Sequence, residues 1–248
     1  MISPPKDVQS HERLITHLRE LRQRLIKSVA TYFLAAVICS FFSRELYEAL
    51  SWPLQKVMPS GSHFITTHPV EAWIVYLKTA LIAAFFLASP VFFFQAWRFL
   101  APGLVQTERK KAALFSVCSA VLFVGGACFG YFVMFPVGFS YLVTLLEGSD
   151  ILFLPRMEDY LSLSFQLLLA FGIIFELPLV VIFLATTGIV DTKQLIAFRK
   201  YNVLLSFVLA AVLTPPDAVS QISMALPMLL LYELGLIGAQ LGEKTHGH

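Results

Sequence analysis

From Leu161 to Thr187 the chain reads LSLSFQLLLAFGIIFELPLVVIFLATT, a run whose only ionisable side chain is Glu176. A bilayer core of about 30 Å takes roughly 20 residues of helix, so this stretch is long enough to cross one and too apolar to be left in water. Pro178 cannot donate to the helical ladder, which predicts a kink beside the glutamate. A carboxylate at that depth is costly unless it is protonated, paired or hydrated, so Glu176 is read as functional by default.

Five further apolar segments lie on either side of this one. They run from Leu25 to Phe42, from Ala72 to Trp97, from Ala112 onward, from Tyr201 to Thr214 and from Ala218 to about Gly238. The segment that opens at Ala112 stays uncharged through Leu146, too long for one span. Pro136 is expected to stop it, with an apolar loop beyond. The fifth segment is short: the stretch between Lys200 and the Thr214-Pro215-Pro216-Asp217 turn would give about 21 Å of helix. Paired prolines and an aspartate fit a tight turn outside the lipid, so Pro215 and Pro216 are assigned a structural role. The expected fold is therefore an all-α integral membrane protein with six transmembrane helices, the last two short. Residues 1–24 would form an amphipathic extramembrane segment, 25–238 the six-span domain and 239–248 a tail.

Composition agrees. Hydrophobic residues make up 57% of the 248, charged residues 14%, and the mean hydropathy is +0.74. Soluble domains carry nearer a quarter charged residues. The net charge of +2 leaves no nucleic-acid footprint. Its distribution is more informative. Arg44, Lys56, Lys78 and Arg156 fall on one side of the spans, the other fourteen of the 18 Lys and Arg on the side of the N-terminus. By the positive-inside rule both termini are cytoplasmic. The outer loops are acidic, with Glu45, Glu48, Glu71, Glu147, Asp150, Glu158, Asp159 and Asp217.

The first apolar run follows a long, patterned, charged segment and has no small-residue cleavage site, so it reads as a permanent span and not a signal peptide. Cys39, Cys118 and Cys128 stand apart in apolar stretches and read as small hydrophobes; no metal or cofactor is implied. No P-loop, His-Glu-x-x-His, Gly-x-Ser-x-Gly or paired membrane aspartates occur, and no histidine lies within a span. The chain is not expected to be an enzyme.

Three places concentrate polar chemistry. In the N-terminal segment Leu14, Leu18, Leu21 and Leu25 form one face, while Arg13, His17, Glu20 and Arg24 share another. On pattern alone Glu20 pairs with Arg24 at i,i+4. In the loop Trp97 to Lys111, Pro102-Gly103 makes a turn, Thr107 caps the third span and Glu108 complements its dipole. Around Glu176, Gln166 lies ten residues earlier on roughly the same helix face, and Asp217 and Gln221 flank the outer end of the sixth span. Glu233, near the inner end of that span, reads as snorkelling to the interface.

Several of these pieces, taken in order, resemble the TatC family, the large subunit of the twin-arginine protein translocase. They are His17-Leu18-Arg19-Glu20-Leu21-Arg22-Gln23-Arg24-Leu25, Trp52-Pro53-Leu54, Ser89-Pro90-Val91, Phe99-Leu100-Ala101-Pro102-Gly103-Leu104 with Glu108-Arg109-Lys110, and Tyr131-Phe132-Val133-Met134-Phe135-Pro136. The second half adds Phe171 through Pro178, Leu213 through Asp217, and Gln221. The resemblance implies a prokaryotic inner-membrane receptor for twin-arginine signal peptides. Such a receptor exports folded proteins on the protonmotive force, with TatA- and TatB-type single-span subunits and other copies of itself as partners. It assigns Glu20 and Glu108, with Arg22 and Phe99, to the signal peptide, and Glu176, with Gln221 and Asp217 nearby, to an intramembrane polar site, which Gln166 joins by its helix face. Pro53, Pro90 and Pro178 would shape the backbone. A guanidinium is planar and suits bidentate carboxylate contacts, so two acidic side chains could hold two arginines. A solute transporter built on Glu176, an intramembrane enzyme and a passive scaffold are the competing readings.

Overall fold

In the computed structural model, which describes residues 6–59, 61–100, 109–145, 153–213 and 218–246, the described residues form helices joined by turns and loops, with one isolated bridge and no strand. Helix α1 (Lys6–Ser40) runs without a break from the amphipathic segment through the first apolar run. The chain then turns by 84° into α2 (Ser43–Val57). Helix α3 (Glu71–Leu100) returns, and α4 (Arg109–Phe129) follows it. Five residues of π-helix, Gly130–Met134, join α4 to α5 (Phe135–Thr144). Helices α6 (Met157–Phe175) and α7 (Leu177–Thr186) meet at Glu176, and α8 (Thr192–Ala197), α9 (Arg199–Leu213) and α10 (Ala218–His246) complete the chain.

Among the described residues four stretches are long and apolar enough to cross a membrane: Glu71–Phe99, Ala113–Thr144, Met157–Thr186 and Gln221–Gly242. Leu18–Ser40 with the bent-back α2 makes a fifth. Helix α9, with 15 residues, is about 22 Å long and falls short of the bilayer core.

Two sequence expectations are corrected. Pro136 does not end the third segment. It sits in the first turn of α5, where its missing N–H is harmless, and the π turn before it absorbs the misfit of the ring. Phe135 and Phe139, both buried, then continue the core toward Tyr160. The last helix does not stop near Gly238: α10 continues to His246, with Leu236 and Ala239 fully buried against α7. Of the cysteines, Cys39 is buried but Cys128 is exposed on the apolar surface, and all three are free thiols.

Apolar side chains gain little by leaving lipid for protein, so helices in a membrane associate through close packing of small residues. The seams follow that rule. Ala35, Ala36 and Cys39 of α1 meet Ala80, Ala84 and Ala88 of α3. A Cβ on Gly126 of α4 would collide with the Phe171 carbonyl oxygen and lie 2.8 Å from the Phe175 side chain of α6. One on Gly235 of α10 would sit 2.9 Å from the Pro178 backbone.

Prolines inside helices free the carbonyl four residues back. Pro90 frees that of Phe86, and the Ser89 hydroxyl, itself buried, donates to it at 2.7 Å. Pro53 frees that of Ala49, and the Tyr131 hydroxyl donates to it, while Tyr160 donates to the neighbouring Leu50 carbonyl at 2.7 Å.

One end of the bundle carries an acidic clasp. Ile65 pairs with Arg156 in the isolated bridge: its N–H donates to Pro155 at 3.0 Å, and the Met157 N–H donates back to Ile65 at 3.1 Å. Glu71, 2% exposed, accepts from the Thr67 N–H at 2.7 Å, the Thr67 hydroxyl at 2.9 Å and the His68 N–H at 3.2 Å. Arg156 lies 3.5 Å from the same carboxylate, and Lys78 of α3 pairs with Glu158 of α6.

Candidate functional site

At the opposite, basic end, α1 lies beside the last turns of α3. Glu20 and Arg24, one helical turn apart, form the ion pair that the spacing predicts. The Arg24 side chain is held tightly, at 11% exposure against 40% for Glu20. Its guanidinium carbon stands 5.7 Å from the centre of the Phe99 ring, within cation–π range. One terminal nitrogen, Nη2, serves Glu20; the other, Nη1, is buried with no hydrogen-bond partner among the described residues. An unmet buried donor costs about 1–3 kcal/mol, and more when charged. Arg22 is exposed on the far side of the same turn. The arrangement presents a carboxylate that Arg24 orients and leaves half open, with an aromatic face beside it. Glu108 lies outside the described residues.

The second constellation is internal. Trp97, near the end of α3, is buried; it stacks on Phe115 at 4.9 Å between ring centres and meets Phe183 edge-on at 4.9 Å. Its indole N–H donates to the Ser119 hydroxyl of α4 at 2.8 Å, and Ser119 hydrogen-bonds the Glu176 carboxylate. Glu176 sits in the break between α6 and α7, its N–H 3.1 Å from the Ile173 carbonyl, and its Oε1 is buried without a partner among the described residues. A three-membered chain thus links α3, α4 and the α6–α7 break. Sequence reasoning missed Trp97 and Ser119. The available signal was Ser116 and Ser119, an i,i+3 hydroxyl pair in an apolar helix.

The described polar residues Gln166 and Gln221 do not gather around Glu176. Gln166, exposed, is ten residues away along one helix, about 15 Å. Gln221 donates to the Phe207 carbonyl at 3.1 Å and so ties α10 to α9. Asp217, Pro215 and Pro216 lie outside the described residues. Glu233 accepts from Arg199 at 2.7 Å, so it is paired across α9 and α10 and does not snorkel alone. Among the described residues no cluster of His, Cys, Asp or Glu could hold a metal ion.

Residues 16–227 match the family model described as Sec-independent protein translocase protein (TatC). The chain belongs to the TatC family. It is 43% identical over 229 residues to the Sec-independent protein translocase protein TatC of Halothiobacillus neapolitanus, covering 92% of this chain and 62% of that relative. The chain thus spans less than two thirds of that protein's length. With TatC of Escherichia coli K12 it shares 35% identity over 230 residues, 92% of this chain and 88% of the relative. The fold matches a crystal structure of the twin-arginine translocase receptor TatC with a TM-score of 0.79 at 35% identity, covering 92% of this chain and 99% of the other. In this TatC-family chain the Glu20–Arg24–Phe99 group and the Trp97–Ser119–Glu176 chain therefore belong to a multi-span membrane protein of a protein translocase.

Proposed function

We propose that the chain is the receptor subunit of a twin-arginine translocase, with six spans, both termini in the cytoplasm and the basic end facing the cytoplasm. In this reading Glu20 and Glu108 bind the two arginines of a signal peptide, with Arg22 and Phe99 alongside. The observation that carries it is the Glu20 carboxylate: Arg24 occupies one oxygen and fixes its direction, yet the side chain stays 40% exposed beside an aromatic ring. A planar guanidinium can donate to the free oxygen while its flat face stacks on Phe99; an ammonium has no flat face to stack. Glu176 is the intramembrane contact for a signal-peptide helix or for a TatA- or TatB-type helix, because its unpartnered oxygen invites a donor. Export of folded cargo draws on the protonmotive force. The short α9 thins the surrounding bilayer and eases passage.

The test is photocrosslinking in membranes from positions beside Glu20 to a signal peptide carrying Arg-Arg or Lys-Lys. The expected result is strong contact with Arg-Arg, weakened by Lys-Lys and by Glu20→Ala or Glu108→Ala. Equal contact for both peptides overturns the reading.

A further inference from the structure

Behind Arg24 a groove of about 530 Å³ runs between α1 and α3. Leu21, Leu25, Val29 and Tyr32 form its α1 wall, and Phe92 and Ala96 line it from α3. Leu21 and Leu25 are 43% and 61% exposed, so the groove opens outward along an apolar surface. From Leu21 to Tyr32 it extends about 16 Å along the helix axis, the depth of one leaflet's hydrocarbon. At its basic end stands Arg24, nine-tenths buried, with Nη1 unpartnered among the described residues. Arg19, Arg22 and Lys27 are exposed within two turns of Arg24 on the same helix.

We propose that this groove is a binding site for an anionic glycerophospholipid, with one acyl chain along α1 and α3 and the phosphate accepting from Arg24 Nη1. The buried, unmet Arg24 donor favours a lipid phosphate over a peptide helix, whose backbone polar groups are already paired internally and which would bring no anion to it. The charge favours an anionic headgroup over a zwitterionic one. Glu20 neutralises Arg24 in part, but the surrounding cations leave the mouth positive and repel a choline. Phosphate accepts charge-assisted hydrogen bonds from guanidinium, which would satisfy the Nη1 donor that the groove leaves unmet.

The site is tested on the purified full chain in detergent by native mass spectrometry, with added dioleoyl-phosphatidylglycerol or dioleoyl-phosphatidylcholine. Phosphatidylglycerol is expected to be retained in preference. Arg24→Gln should reduce its retention about tenfold, as expected for loss of one charge-assisted hydrogen bond. Ala96→Trp and Leu25→Trp, which fill the groove from its two exposed sides without touching the core, should do the same. Arg199→Gln, which removes a charge elsewhere, should have no effect. Equal retention of the two lipids, or equal loss in Arg199→Gln, makes the attraction diffuse charge and overturns the site. So does retention that survives both tryptophan variants. If those variants keep the lipid but lose crosslinking to the apolar part of an Arg-Arg signal peptide, the groove is a peptide seat and the lipid assignment is wrong.

Discussion

Ser89→Ala removes a single hydroxyl, yet it should be felt well beyond the loss of one oxygen. Pro90 provides no N–H for the Phe86 carbonyl, and Ser89 supplies the substitute donor at 2.7 Å. Ser89 is 1% exposed within a stretch apolar enough to span a bilayer, so water cannot replace it. An unsatisfied buried carbonyl costs about 1–3 kcal/mol. Hydrogen bonds within membrane proteins average lower, near 0.6 kcal/mol, so a loss of about 1–2 kcal/mol is expected. The informative comparison is Pro90→Ala, which restores a backbone donor to the same carbonyl. In that background Ser89→Ala should cost only a few tenths of a kcal/mol, giving a coupling of about 1 kcal/mol in the double-mutant cycle. Unfolding of the purified chain in mixed micelles of increasing dodecyl sulfate, followed by helical circular dichroism, measures all four corners. Additive costs would refute the account, because they would mean that Ser89 acts without reference to the proline.

Gly126→Ala should destabilise the same unfolding transition by about 1–3 kcal/mol, since the methyl meets the Phe171 backbone, which cannot yield as a side chain tip could. Gly125→Ala, whose Cβ would meet open space, should be tolerated and serves as its control. Ser119→Ala leaves both the Trp97 indole N–H and the Glu176 carboxylate short of a partner, so it should cost about 1–3 kcal/mol and alter Trp97 fluorescence in a chain whose Trp52 and Trp73 are replaced by Phe. Arg199→Gln or Glu233→Gln should change stability by less than about 1 kcal/mol, because the pair is nearly half exposed on both sides. A larger loss would show that the clasp between α9 and α10 is better shielded than its exposure implies.

What the sequence made legible was whatever a one-dimensional pattern can carry. Residues 161–187 read as a kinked apolar helix because their composition and Pro178 both act locally, and the helix breaks at Glu176. The i,i+4 pair of Glu20 and Arg24 is local as well. Pro136 was misread because a proline ends a helix only when nothing accommodates it, and the π turn that does so is held by parts distant in sequence: Tyr131 donates to the Ala49 carbonyl, and Phe135 is buried in a cluster with Leu54 and Tyr160. The approach of Phe99 to Arg24 spans α1 and α3, and the Trp97–Ser119 bond spans α3 and α4. Neither leaves a trace in spacing. Gln166 failed to join Glu176 for a simpler reason: a shared helix face aligns residues but does not shorten the axial distance between them.

The shortness of α9 also bears on how the chain is made. Fifteen residues with Asn202 and Ser206 facing inward are a poor candidate for holding a place in lipid alone. The partners that settle them arrive later in synthesis: Gln221 reaches the Phe207 carbonyl, and Glu233 reaches Arg199, both from α10. Helix α9 is therefore expected to settle only once α10 has emerged. The two would then be placed as one hairpin, so that the last fifth of the protein is assembled as a single late event.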